Sequence, residues 1–138
     1  MFLDTSGLLC ILDSRDHRHA IAADSYRQSP RLFTTNYVLT EFVALAHVRG
    51  IPRQRALEFL KDLEMAPRVE VIWIDKGLHE RAMLLLDARL DKTYSLCDAV
   101  SFVVMRGWEL QEALTTDKHF EQEGFARLLH QPGETRPG

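Results

Sequence analysis

Apolar residues along the chain follow two rhythms, and each rhythm predicts a type of element. Short apolar runs bounded by polar turns read as strands, and longer stretches with a spacing of three to four residues read as amphipathic helices. Strands are predicted at Met1 to Leu3, Leu32 to Thr35, Val69 to Ile74, Ala113 to Thr116 and, more weakly, Arg127 to His130. Between them lie a helix carrying Leu8, Leu9, Ile11 and Leu12, one from Ala20 to Ser29, and a long one from an Asn36 N-cap to Arg49-Gly50. Further helices run from Ile51-Pro52 to Met65, from Asp75 to Leu90 and from Ser95 to Gly107, with a helical turn at Lys118 to Glu121. Alternation of this kind implies an α/β fold: a mainly parallel sheet of about five short strands, covered on both faces through right-handed crossovers. Residues 1–130 read as a single domain, and 131–138, rich in Pro, Gly and Glu, as a flexible C-terminal tail.

Four acids break the pattern. In the stretch Ser95-Leu96-Cys97-Asp98-Ala99-Val100-Ser101-Phe102-Val103-Val104-Met105, the helix is apolar nearly all round, yet it carries Asp98 near its start. A buried ionised acid is costly unless it is paired, hydrogen-bonded or bound to a metal. Ser95-x-x-Asp98 also fits a capping box, so Asp98 is either a capping acid or part of a charged site. Glu41 falls among Val38, Phe42, Leu45 and Val48 on an apolar stripe, with no Lys or Arg at the positions that would form an intrahelical pair. Asp4 and Asp117 each follow a short apolar strand and precede a helical segment. Asp4 is open to two readings, a cap for the next helix or a ligand at the strand-end edge where open α/β sheets bind their ligands. The coincidence favours a cluster of four carboxylates over four unrelated caps. Uncompensated, they would repel and raise one another's pKa, so the cluster calls for divalent cations, and oxygen-only ligation favours Mg²⁺ or Mn²⁺ over Zn²⁺.

The remaining composition narrows the class. A length of 138 residues, 46% hydrophobic and 27% charged, is that of a globular domain able to bury a core, and a formal charge of -3 argues against a general nucleic-acid coat. A local basic rim remains compatible, and Arg49, Arg53, Arg55 and Lys61 cluster around one helical hairpin, where the alternatives are a solvated face or phosphate contacts. Cys10 and Cys97 are far apart and lack metal spacing, which reads as reduced thiols and a cytoplasmic setting. The chain shows no export signal and no apolar run long enough for a membrane. His17, His19 and His47 read as surface residues. Ser6 stands where a haloacid-dehalogenase-type phosphatase would carry a second Asp, and Asp4 lacks the acidic neighbour of a phospho-receiver domain.

The stretches FLDTSGLL, TTNYVLTEF, YSLCDAVSFVVM and EALTTDKHFEQEGF resemble the PIN domain, and within it the VapC-like toxins, in identity, order and spacing over nearly the whole chain. The resemblance implies a three-layer α/β/α fold and a Mg²⁺- or Mn²⁺-dependent endoribonuclease. Its catalytic and metal-binding acids would be Asp4, Glu41, Asp98 and Asp117, and its supporting polar residues Thr5, Ser6 and Thr116. Arg49, Arg53, Arg55 and Lys118 are the candidate RNA contacts. It further implies an RNA substrate, a small antitoxin protein that places a basic side chain among the acids, and a homodimer. The competing reading is a PIN-like RNA-binding or protein-interaction module without turnover, which the presence of all four acids opposes.

Overall fold

The computed structural model describes residues 1–130 and 133–134. Its elements run β1 (Phe2–Leu3), α1 (Thr5–Leu12), α2 (His19–Gln28), β2 (Leu32–Thr35), α3 (Asn36–Val48), α4 (Arg53–Met65), β3 (Val69–Ile72), α5 (Lys76–Asp87), α6 (Leu96–Gly107), β4 (Glu112–Leu114), α7 (His119–Gln122) and β5 (Ala126–Arg127). The five strands form one all-parallel sheet in the order β3-β2-β1-β4-β5, flanked by helices as a three-layer α/β/α domain. The chain builds outward from β1 through β2 to β3, then returns to the other side of β1 for β4 and β5. Strand order therefore reverses at β1, and the crevice beyond its C-terminal end is where such sheets bind ligands.

Parallel strands covered on both faces bury apolar residues on both sides, as β1 and the centre of the sheet do, while Glu70 of β3 and Glu112 of β4 are exposed. Phe2, Leu3, Leu32, Ala113 and Leu114 are fully buried. Around them pack Phe42, Val100, Phe102, Met105 and Phe120, with Phe102 edge-on to Phe120 at 4.9 Å between ring centroids. Gly7 lets α1 lie against β4, because a Cβ there would stand 2.0 Å from the Leu114 carbonyl oxygen. Cys10 and Cys97 are free thiols.

Several elements differ from the pattern-based expectation. Strand β3 stops at Ile72, and Ile74 instead gives its N–H to Asn36 Oδ1 at 2.8 Å while Trp73 is exposed. That bond reassigns Asn36. Thr35 is the N-cap of α3, accepting from the Val38 N–H, and Asn36 is the first helical residue. The buried face of α3 is Val38, Leu39, Phe42 and Ala46, whereas Leu45 and Val48 are exposed. Helix α5 ends at Asp87, leaving Leu90 in solvent, and β4 ends at Leu114, so Thr115 and Thr116 leave the ladder. The last strand is Ala126–Arg127, not 127–130. His19 is half-buried with Nδ1 2.9 Å from the Cys10 carbonyl oxygen, so it is a packing residue and not a surface one. Of the tail expected over 131–138, all but Gly133 and Glu134 lies outside the described residues. The Glu134 carboxylate pairs with buried Arg127 and stands 3.6 Å from Lys118.

Candidate active site

Asp4, Glu41, Asp98 and Asp117 all line one cavity of about 370 Å³ at the crevice beside β1, together with Thr5, Ser6 and Thr116. Each acid comes from a different element. Asp4 follows β1, Glu41 projects from α3, Asp98 from the first turn of α6, and Asp117 from the loop between β4 and α7.

Asp4 occupies the N-cap position of α1, but its carboxylate makes no capping bond. Its Oδ2 accepts from Thr115 Oγ1 at 2.7 Å and Ser6 Oγ at 3.3 Å. Ser6 Oγ in turn accepts the Thr116 N–H at 2.9 Å, and Thr115 Oγ1 accepts the Asp117 N–H at 3.0 Å. Two hydroxyls thus tie the loop after β4 to the start of α1 and fix the direction of the Asp4 carboxylate. This placement follows from strand register. Leu3 pairs with Leu114, so the residues that follow each, Asp4 and Thr115, emerge side by side.

Asp98 makes the capping bonds and also lines the cavity with the other acids. Its Oδ2 accepts the Ser95 N–H at 3.0 Å while its own N–H donates to Ser95 Oγ, a complete capping box, and the same Oδ2 lies 2.9 Å from His119 Nδ1. His119 Nδ1 is also 3.3 Å from Asp117 Oδ1, and its Nε2 is 3.0 Å from Thr93 Oγ1. The imidazole packs edge-on against Tyr94. Asp98, Asp117 and His119 present ligand atoms within 4.8 Å of one another, and Asp4 and Glu41 complete the walls of the cavity.

The electrostatics are those of a site prepared for positive charge. Burial pushes the Asp4 carboxyl up to about 7; the Thr115 bond opposes this, and the charges of Asp98 and Glu41 add to it. Burial likewise raises Asp98, against the Ser95 N–H bond and with the Asp117 charge adding to the shift. The Cys97 thiol, beside Glu41, is raised by burial and then by the surrounding carboxylates. Thr5 Oγ1 is buried with no partner among the described residues, an acceptor and donor left for a group in the crevice. The donor set of Asp98, Asp117 and His119, with the Asp4 and Glu41 carboxylates lining the same cavity, fits a divalent cation.

Of the four candidate RNA-contacting cations, Arg49 lines the cavity. Arg55 is drawn to the Leu12 carbonyl at 2.9 Å, Arg53 lies with Gln54 and Lys61 at a separate depression on α4, and Lys118 faces Glu134. Sequence reasoning missed His119 and Thr115. His119 sits two residues after Asp117, close enough to flag, but it read there as part of a helical turn. The resemblance names Thr116 as the supporting hydroxyl, and strand pairing shows that Thr115 is the threonine that meets Asp4.

An acid cluster at the reversal of a short parallel sheet defines a class, and residues 1–125 match the PIN domain family: the chain belongs to it. Among curated proteins, it is 32% identical over 129 residues to the 23S rRNA-specific endonuclease VapC20 of Mycobacterium tuberculosis strains CDC 1551 / Oshkosh and ATCC 25618 / H37Rv, covering 93% of this chain and 97% of each relative. Among solved structures it superposes on crystalline Mycobacterium tuberculosis VapC20, a Sarcin-Ricin loop cleaving toxin, with a TM-score of 0.82 and 29% identity, covering 91% of this chain and 95% of that one.

Proposed function

We propose that this protein is a divalent-cation-dependent endoribonuclease and the toxin of a toxin-antitoxin pair, with structured ribosomal RNA as its substrate class. The observation that carries the reading is the convergence of Asp4, Glu41, Asp98 and Asp117 on one cavity at the strand-order reversal. The relative's action on 23S rRNA supports the substrate class.

Asp4, Glu41 and Asp98 would hold Mg²⁺ or Mn²⁺, with Asp117 as the fourth acid. When bound, the cation supplies an acidified water and neutralises charge on the phosphodiester. The chain's own residues set the geometry. Thr115 and Ser6 aim Asp4, the Ser95 N–H holds Asp98, and His119 keeps Asp98 and Asp117 in register. Arg49 at the cavity wall meets the RNA backbone as a phosphate contact. A looped or single-stranded segment fits best, because the backbone must reach acids lying at the bottom of a crevice.

Cleavage of ribosomal RNA with Mg²⁺ or Mn²⁺, its loss in EDTA, and its loss in Asp98→Asn with an unchanged circular-dichroism spectrum are the expected results. Full activity in EDTA, or in the variant, would overturn the reading. A small antitoxin covering the cleft with a basic side chain is expected to co-purify from the native host, and a homodimer to appear by mass at high concentration. Among the described residues no helix is long and apolar enough to cross a membrane, and a cytoplasmic enzyme accords with the proposed RNA substrate.

A further inference from the structure

A second cavity, of about 310 Å³, opens on the far side of Glu41, lined by Asn36, Tyr37, Thr40, Glu41 and Cys97. Glu41 is common to both cavities, so the two adjoin across one side chain. We propose that this cavity is a nucleobase subsite: it receives the base of a nucleotide flanking the cleaved phosphodiester, with the Tyr37 ring as stacking platform and the Asn36 amide as reader. The inference rests on the ribonuclease reading above and adds a specificity element to it.

Three observations carry it. First, Tyr37 is held before any ligand arrives. Its hydroxyl lies 2.5 Å from His79 Nδ1 on α5, the two rings are 6.0 Å apart, and the residue remains half-buried, not sealed. A fixed aromatic face loses little freedom when a base stacks on it. Secondly, Asn36 Oδ1 is committed to the Ile74 N–H, which fixes the orientation of the amide and leaves its NH₂ as a donor. No acceptor among the described residues takes that donor, so a base edge presenting a carbonyl or ring nitrogen complements it. Thirdly, four of the five lining residues sit at positions 36, 37, 40 and 41 of α3, one face of a helix starting at the same sheet edge as the acid cluster, and Cys97 of α6 closes the fifth side. A nucleotide with its phosphate at the acids can extend its base along that face. The size of the cavity is at the lower end of small-molecule sites, about 300–1,000 Å³, which suits one base.

The test pairs changes in protein with changes in RNA. Short substrates carrying an abasic residue on one or the other side of the cleaved bond are compared with the intact oligonucleotide, in wild type, Tyr37→Ala and Thr40→Phe. Thr40 is exposed, so Phe there fills the cavity without disturbing the core. For wild type, removing the base on one side lowers kcat/KM by about five- to a hundredfold, the range for one stacked base. Tyr37→Ala and Thr40→Phe lose a similar factor on intact RNA, mainly in KM, and lose little more on the abasic RNA. Bound in Ca²⁺ without turnover, 2-aminopurine at that position is quenched by wild type and not by either variant. Independent, multiplying losses from the protein and RNA changes, or equal quenching in all three proteins, would overturn the subsite. If wild type cleaves no RNA with any divalent cation, the ribonuclease reading falls instead, and the 2-aminopurine measurement still decides whether a base enters the cavity. Normal RNA behaviour in Thr40→Phe together with lost binding of a protein ligand would overturn the nucleobase in favour of a peptide occupant.

Discussion

Neutralising Asp4 should stabilise the metal-free protein, by an amount that depends on pH. In the fold its carboxyl titrates near 7, against 3.8 ordinarily, because it is buried at 5% exposure beside Asp98 and Glu41. A carboxyl with a raised folded pKa binds its proton more tightly in the native state, so stability falls as pH rises from about 4 to about 7, and the penalty is complete above 7. At about 1.36 kcal/mol per pH unit, the interval amounts to about 4 kcal/mol, an upper value that relaxation of the crevice will reduce. Asp4→Asn keeps an oxygen to accept from Thr115 while removing the charge. In urea titrations with EDTA, the variant should match wild type at pH 4 and exceed it by about 2–4 kcal/mol at pH 8. Mg²⁺ should then reverse the order, since a ligand bound only by the native state raises wild-type stability and leaves the variant nearly unmoved. Parallel pH profiles for the two proteins, or equal Mg²⁺ effects, would refute the placement of Asp4 in a buried anionic site.

Asp98→Asn should abolish cleavage yet change stability by less than about 1 kcal/mol, because the lost helix-terminus charge and the relieved burial cost oppose each other while an amide oxygen can still accept from Ser95. Ser95→Ala, which removes only the cap, should cost about 1 kcal/mol in chemical denaturation. Gly7→Ala drives a methyl into the Leu114 carbonyl and should cost about 3 kcal/mol or more, read as a lowered denaturation midpoint; a neutral substitution would mean that α1 does not sit against β4. Glu123, with its side chain 3% exposed, accepts from Arg89 at 2.8 Å and Arg106 at 2.5 Å. Burial alone would raise its carboxyl, but the two arginines outweigh burial and hold it below the ordinary range. Its contribution is therefore present above about pH 4.5 and lost as pH falls. Glu123→Gln should cost about 1.5–3 kcal/mol at pH 7 by urea titration, a difference that disappears in acid.

What the sequence by itself determined is local: hydrophobic period, caps and breaks, and the anomaly of acids where apolar residues belong. These are near-neighbour properties, and they sufficed to place the strands and helices within a few residues and to single out Asp4, Glu41, Asp98 and Asp117. The alternation of elements also implied the parallel sheet. The tertiary structure decided what depends on contacts between distant segments. Register between β1 and β4 selected Thr115 over Thr116 as the partner of Asp4, across 111 positions of chain. The turn after Asp117 brought His119 onto Asp98, and a bond from Ile74 took Asn36 away from the capping role its residue type favours. Leu45 and Val48 lie on the periodic stripe of α3 but outside the core, because periodicity marks a helix face without saying how far the neighbouring layer covers it. For Asp98 the tertiary structure added a second contact to the local one: the carboxylate oxygen that accepts the Ser95 N–H also meets His119, because the first turn of α6 opens onto the cavity that Asp4 and Asp117 line.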